Sequence, residues 1–237
     1  MIDLHEYDTL DSTNRLLLDM AKEGAPAGTA VWAHEQTGGR GRLGRSFSSP
    51  KGGIYVSILV PLNSGSGSGI RITAMAGVAT MRTVFQVCNK KCAIKWVNDL
   101  IYDGRKVCGI LAQGYSGKAV VGIGINYRTD LSSLPEDLRT TASVLYGPEE
   151  EAPDERSFVE SLLNNVYDLC TKGDENWLEE YKASSTILGK EVLILQAGSV
   201  VGEGVAVRID DDCHLHVAVD GKEMILATGE VSIRNRE

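Results

Sequence analysis

Arg40, Arg42, Arg45 and Lys51 crowd together in the stretch Q-T-G-G-R-G-R-L-G-R-S-F-S-S-P-K-G-G, Gln36 to Gly53, with no acid among them. Clustered guanidinium groups favour phosphate or carboxylate oxygens, and the six glycines here let peptide N–H groups approach such a ligand closely. The stretch therefore reads as an anion cradle, against the plainer reading of a solvated basic loop.

Two further places could join it. K-W-V-N-D, Lys95 to Asp99, packs a cation, an amide and a carboxylate into one turn, and Lys106 interrupts the apolar strand V-C-G-I-L that follows it. Taken alone, a lysine there is as well explained as a guard on an exposed sheet edge. Gly122 and Gly124 in V-G-I-G-I-N weaken a strand unless something must lie against its backbone.

Other chemistries find no support. Gly39, Gly41 and Gly44 match G-x-G-x-x-G, yet S-F-S-S-P-K-G-G cannot open a helix and no acid follows about 20 residues on, which excludes a dinucleotide fingerprint. G-x-x-x-x-G-K-[ST], G-x-S-x-G and H-E-x-x-H do not occur. His214 and His216 lack further ligands at metal spacing and read as surface histidines, so no metal is expected from the protein alone.

The elements that must position these residues follow from hydrophobic period and turn chemistry. Ile2–Tyr7 reads as a strand, and Asp11, Ser12 or Thr13 as the cap of a helix that stops at Gly24. Strands over Thr29–Ala33 and Ile54–Val60 flank the glycine-arginine loop. Asn63–Gly69 is a flexible connection, Ile70–Val87 a buried helix and Cys92–Lys95 a short strand. Asp103-Gly104 and Ser116-Gly117 turn a three-stranded antiparallel run over Leu100–Tyr102, Lys106–Gln113 and Lys118–Asn126. A short helical turn is expected at Ala142–Tyr146, then a helix capped by Asp154 and another carrying Trp177, Leu178 and Tyr181. Five short strands after Gly189 suggest a small barrel. The class is α+β, a mixed sheet with flanking helices, rather than a doubly wound parallel sheet.

Composition bounds the setting. The 237 residues carry a net charge of −8. From Gln36 to Asn98 there are nine Lys and Arg and no acid, whereas Glu136 to Glu180 holds 13 acids. A local anion site within an acidic protein fits this better than a nucleic-acid surface. Five scattered cysteines without C-x-x-C read as reduced thiols. With no signal-like N-terminus and no apolar run long enough for a bilayer, a cytoplasmic location and no membrane partner are expected.

In order, D-S-T-N, E-Q-T-x-G-R-G-R-x-G-R-x-F-x-S-P-x-G-G-x-Y-x-S, K-W-x-N-D-L, R-K-V-C-G-I-L, G-I-G-I-N and T-G-E-V-S-I-R make the chain resemble biotin protein ligases over nearly its whole length. The resemblance implies a catalytic α+β domain, akin to class II aminoacyl-tRNA synthetases, over residues 1–186, and an SH3-like barrel over 187–237. It implies activation of biotin by ATP, with Mg2+, to biotinyl-5′-AMP, then transfer to one lysine of a biotin carboxyl carrier protein or domain. Ser12, Thr13, Asn14 and Gln36 would hold the ureido end of biotin. Gly39, Arg40, Gly41 and Arg42 would wrap the acyl-phosphate, and Gly109, Gly122 and Gly124 would complete the substrate site. Lys106 would contact the reacting oxygens, so that Lys106, Arg40 and Asp99 are the expected catalytic residues, with Asp99 receiving the acceptor lysine. Arg42, Arg45, Phe47, Asn98 and Asn126 would face ATP.

Two departures are visible. Phe47 stands where the family often has Trp, giving a smaller adenine platform, and Val97 stands where proline is frequent, which should loosen the turn. The biotin motif begins at Asp11, which leaves no room before it for a DNA-binding domain and argues against nucleic acid as a partner; a homodimer is compatible with the resemblance. Two rivals stay open: a lipoate or octanoate transferase relative, and a non-catalytic regulator that holds biotinyl-AMP.

Overall fold

Ser12, two residues past the first strand, opens the first helix. In a computed structural model, which describes residues 2–62, 69–196, 199–227 and 230–233, β1 (Asp3–Leu10) runs three residues past the expected Tyr7. Extended Ser12 then caps α1 (Thr13–Lys22), its Oγ accepting the Arg15 backbone N–H at 3.5 Å. β2 (Thr29–Gln36) also outruns its expected end, because Glu35 and Gln36 stay in register with Thr9 and Leu10 of β1. β3 (Ile54–Pro61) and α2 (Gly69–Cys88) come next; Asn63 to Ser68, most of the expected flexible connection, lie outside the described residues.

β4 (Ala93–Lys95), β5 (Asp99–Tyr102), β6 (Arg105–Tyr115) and β7 (Lys118–Ile125) form an antiparallel run. Asp103 and Gly104 at φ 51° and 73°, and Ser116 and Gly117 at 46° and 73°, give both hairpins the left-handed residue pairs that a twisted two-residue turn requires. The seven strands are ordered β1-β2-β3-β7-β6-β5-β4, with β1 parallel to β2 and the other pairs antiparallel. The sheet is mixed, as expected. β6 lies between β7 and β5, so Lys106 is not on an edge strand and the edge-guard reading fails.

The turn of helix expected at Ala142–Tyr146 is absent. The helical turn falls earlier, in α3 (Glu136–Arg139). Ala142 instead bridges Lys106, Ser143 N–H donates to Lys106 O at 2.7 Å and Leu145 N–H to Asn126 O at 2.9 Å. Open backbone groups beside β6 and β7 hold the segment extended, and its apolar residues are buried without helical spacing. Asp154 caps α4 (Glu155–Lys172) through Ser157 N–H at 2.9 Å, and α5 (Trp177–Ala183) follows.

β8 (Glu191–Gln196), β9 (Ser199–Ile209), β10 (Leu215–Val219), β11 (Lys222–Leu226) and β12 (Glu230–Ile233) form a separate antiparallel sheet ordered β11-β10-β9-β8-β12. Thr228, Gly229 and Arg234 of the T-G-E-V-S-I-R motif lie outside the described residues. His216 is not the surface residue expected: it is 2% exposed. Its Nε2 lies 2.9 Å from Asp210 Oδ2, and its Nδ1 faces Glu223 and Arg208. Two carboxylates flank the imidazole, which explains how a polar ring is accommodated in the interior.

Alternation along β3 sends Val56, Ile58 and Val60 to one face, under α4 with α2 beside it over β6 and β7, and Leu59 to the other, under Leu17 and Ala21 of α1. The two sheets share one apolar cluster. Trp96 Nε1–H donates to Cys213 O at 2.9 Å across their junction, and Ile94 exchanges backbone hydrogen bonds with Ser184 and Thr186. Among the described residues no helix is long and apolar enough to cross a membrane.

Candidate active site

Beside α1, on the same face of the large sheet, three glycines leave the strands bare. Tyr55, Gly124, Gly109 and Asp99 pair in one row across β3, β7, β6 and β5, and Ser57, Gly122 and Leu111 pair in the next. A Cβ on Gly122 would fall 1.8 Å from Asn14 Oδ1, and one on Gly124 2.4 Å from Phe47 Cε1. The expected close approach to these strands is therefore made by Asn14 from α1 and by Phe47 from the loop. Over this floor lies a cavity of about 140 Å3, walled by Ser12, Thr13, Asn14 and Gln36 at one side and by Arg40, Gly41, Arg42, Arg45 and Phe47 above.

The glycine-arginine loop is a narrow hairpin. Gln36 bridges Ser49 and Arg40 bridges Ser46, while Gly41 N–H donates to Arg45 O at 2.7 Å and Phe47 N–H to Gly39 O at 2.9 Å. Its tip is a single 3-10 turn, Arg42–Gly44, in which Leu43 adopts φ 56° and is 64% exposed. Tyr55 fastens the return arm by donating its hydroxyl to Pro50 O at 2.7 Å; burial pushes that phenol well above its usual range, so it stays protonated.

Four cations reach the cavity, Arg40, Arg42, Arg45 and Lys106, against Asp99 as the one carboxylate of its lining among the described residues. Lys106 Nζ lies 2.7 Å from Asp99 Oδ1 and 5.8 Å from the centre of the Phe47 ring. Arg42 Nη1–H donates to Asn98 Oδ1 at 3.1 Å, and Asn98 is itself fixed by Ile110, donating to Ile110 O at 3.2 Å and accepting from Ile110 N–H at 2.9 Å. The K-W-V-N-D turn is thus tied both to the loop and to β6. It is not loose: Trp96 and Val97 are 4% and 2% exposed, and the Tyr181 hydroxyl donates to Val97 O at 3.1 Å. This excess of positive charge suits a ligand with several anionic oxygens.

The opposite end is neutral and polar. Gln36 Oε1 accepts Thr13 N–H at 2.9 Å and Gln36 Nε2–H donates to Ser49 Oγ at 2.8 Å. Asn14 Nδ2–H donates to Gln113 Oε1 at 3.0 Å, and Asn14 Oδ1 accepts from Ser57 at 2.7 Å. Ser49 and Ser57, which hold these groups, stand in the family motif quoted above without an assigned role, and Gln113 is singled out by no motif.

Fifteen of the seventeen sequence-predicted residues line the cavity, and two do not. Gly39 lies on the far side of the hairpin, where a Cβ would meet Phe47 O at 2.3 Å; its smallness serves the loop's own closure. Asn126 is 7% exposed and turns away, its Nδ2–H donating to Ser143 O at 2.9 Å and its backbone N–H to Val107 O at 2.8 Å. Ser46, Ile110, Leu111 and Ile123 are lining residues that motif spacing did not single out.

The chain is similar to known proteins in sequence and in fold. The model of the biotin/lipoate A/B protein ligase family matches residues 7–130. The bifunctional ligase/repressor BirA of Bacillus subtilis is 29% identical over 163 residues, 66% of this chain and 50% of that protein. The chain thus spans about half the length of such relatives. The biotin--[acetyl-CoA-carboxylase] ligase of Mycobacterium tuberculosis is 28% identical over 233 residues, 93% of this chain and 85% of that one. The biotin protein ligase from Aquifex aeolicus, solved in complex with biotin and ATP, superposes with a TM-score of 0.83 at 25% identity, covering 100% of both chains.

Proposed function

Because the chain belongs to the biotin/lipoate A/B protein ligase family, we propose that it is a biotin protein ligase, joining biotin to ATP as biotinyl-5′-AMP and passing the biotinyl group to a lysine of a biotin carboxyl carrier protein or domain. The observation that carries this reading is one cavity with a neutral hydrogen-bonding end at Thr13, Asn14 and Gln36 and a cationic end at Arg40, Arg42 and Lys106. A ureido ring suits the first and an acyl-phosphate the second.

In the first step the biotin carboxylate attacks the α-phosphorus and pyrophosphate leaves. Two anions must meet, so the barrier is lowered by fixed positive charge and alignment. Arg40 and Arg42 approach from the hairpin and Lys106 from β6, on opposite sides of the cavity. Phe47 offers a face for adenine, Arg45 and Asn98 lie on the nucleotide side, and the glycine floor gives Phe47 and Asn14 the room to lie close against the strands. In the second step the acceptor lysine attacks the mixed anhydride and AMP leaves, with Asp99 taking up the ammonium proton.

The cavity of about 140 Å3 is small beside typical ligand cavities of ~300–1,000 Å3. Phe47 and the arginine hairpin cover it, and on this reading the hairpin lifts to admit substrate and then closes over it, shielding the anhydride from water. Proteolysis near Arg42 slowed by biotin and ATP would support this lid. Equal cleavage with and without ligand would count against it.

Magnesium would enter with the triphosphate: the lining supplies one carboxylate, Asp99, and no cluster among the described residues could hold a metal alone. The C-terminal sheet is read as an SH3-like barrel, with the domain boundary at residues 186/187. The acceptor is taken to be the carrier of a biotin-dependent carboxylase, with no nucleic acid involved, in a cytoplasmic setting; light scattering tests whether two copies associate. Mass spectrometry of a carrier domain incubated with the protein, biotin and MgATP tests the function. A gain of one biotinyl group is expected; unmodified carrier, or modification only when octanoate or lipoate replaces biotin, overturns the reading.

A further inference from the structure

Behind the neutral end of the cavity four oxygens stand in a chain. Gln36 Oε1 is 3.1 Å from Thr13 Oγ1, which is 2.8 Å from Ser57 Oγ, which is 2.7 Å from Asn14 Oδ1. Both ends are amide carbonyls that can only accept. Asn14 cannot turn over, because its Nδ2–H donates towards the backbone carbonyl of Leu111, and Gln36 cannot, because its oxygen accepts the Thr13 backbone N–H. Only two hydroxyl protons, those of Thr13 and Ser57, serve three contacts.

The distances say which contact goes without. Gln36 Oε1 already holds the Thr13 backbone proton and makes the longest of the three contacts, so the Thr13 hydroxyl donates to Ser57 and the Ser57 hydroxyl to Asn14. Thr13 lines the cavity and Ser57, at 0% exposure, does not. With its only proton turned inward, Thr13 presents lone pairs to a ligand and acts there as an acceptor.

Resting on the reading of the site as a biotin site, we propose that Ser57 is a positioning residue for substrate selection. It fixes the Thr13 hydroxyl as an acceptor, so this end of the cavity takes a ligand that brings an N–H, such as a cyclic urea, in preference to a straight-chain acid that brings none. Losing Ser57 frees the Thr13 proton to swing to Gln36 Oε1 and turns its lone pairs away from the ligand.

Steady-state pyrophosphate release and thermal unfolding are measured for the wild type, Ser57→Ala, Ser57→Cys, Thr13→Val and the double variant Thr13→Val/Ser57→Ala, with octanoate as competitor. The wild type must first release pyrophosphate with biotin, or the biotin reading itself fails. Given that, Ser57→Ala is expected to raise the biotin KM roughly tenfold, the loss of about one good hydrogen bond, with kcat, the ATP KM and octanoate inhibition nearly unchanged. Ser57→Cys, which keeps the volume with a weaker donor, should fall between. Ser57→Ala should add nothing to the biotin KM in the Thr13→Val background. Unchanged biotin KM, additive effects of the two substitutions, or equal loss in the biotin and ATP KM values overturns the proposal.

Discussion

Lys106 Nζ meets Asp99 Oδ1 at 2.7 Å across the β5–β6 pair, at the floor of the cavity. The two side chains retain 38% and 21% of their exposure, although Asp99 Oδ1 itself is shielded from solvent, and partly exposed pairs contribute about 0–1 kcal/mol to stability. Their proximity therefore does little for the fold. Lys106→Met should unfold within a few degrees of the wild type yet lower the rate of adenylate formation by roughly 10²–10³, the scale seen when one charge-stabilising donor is removed from a developing oxyanion. Pyrophosphate release read beside calorimetry separates the two; wild-type turnover by this variant would remove Lys106 from the reaction.

Asp99 has a different task in the same pair. With Asp99→Asn the first step keeps its cations, but the acceptor lysine loses the group that takes its proton. Single-turnover transfer from preformed biotinyl-AMP to a carrier domain should slow by about 10²-fold or more, a usual scale for a general base, while adenylate formation changes much less. Equal slowing of both steps would show that Asp99 matters only as a partner of Lys106.

Gly124 lies beneath the Phe47 ring, which a Cβ there would meet at 2.4 Å. Gly124→Ala should push the ring off its seat and raise the ATP KM, with the biotin KM less affected. Phe47→Ala should do the same, and the double variant should be no worse than the more severe single, because both act on one contact. Additive losses in ATP KM would mean that Gly124 serves the nucleotide directly.

How much of this could be read beforehand depended on whether a feature was local. The hairpin turns at Asp103-Gly104 and Ser116-Gly117, the cap at Asp154 and the strands around the glycine-arginine loop are set by neighbouring residues, and the structure has them. Ala142–Tyr146 failed because its conformation comes from backbone groups of β6 and β7, distant in sequence. Lys106 looked like an edge lysine until pairing placed β6 inside the sheet. Gly39 and Asn126 belong to family motifs but spend their chemistry on the loop and on Ser143. Ser57 acts on Thr13 and Asn14, and Gln113 on Asn14, relations that no spacing along the chain could show.

The five cysteines are free thiols, and burial drives Cys92, Cys170 and Cys213 up to about 12 and Cys88 and Cys108 upward as well. At pH 8 the native protein should react with iodoacetamide far more slowly than the denatured chain, in which all five thiols are accessible. Linkage gives the sign of the pH effect. A raised folded pKa means that the folded state holds protons that the unfolded state has released, so this contribution is complete below about 9 and declines as pH climbs from about 9 to 12. Denaturant midpoints should fall across that window, and replacing Cys170 by Ala should make the fall less steep.

Trp96 joins the two sheets where the candidate site needs them joined. Its ring is 4% exposed, its Nε1–H donates to Cys213 O at 2.9 Å, and two residues on Asn98 accepts from Arg42 of the hairpin. Trp96→Phe keeps most of the packing but removes the donor and strands a buried carbonyl, at a cost of about 1–3 kcal/mol. If the C-terminal sheet only adds stability, the loss should appear in the melting temperature alone. If it also sets the K-W-V-N-D turn, the ATP KM should rise with it, because Asn98 would no longer meet Arg42 squarely. We expect both changes, with the biotin KM less affected, since Thr13 is held by Gln36 of β2 and Asn14 by Ser57 of β3 and Gln113 of β6.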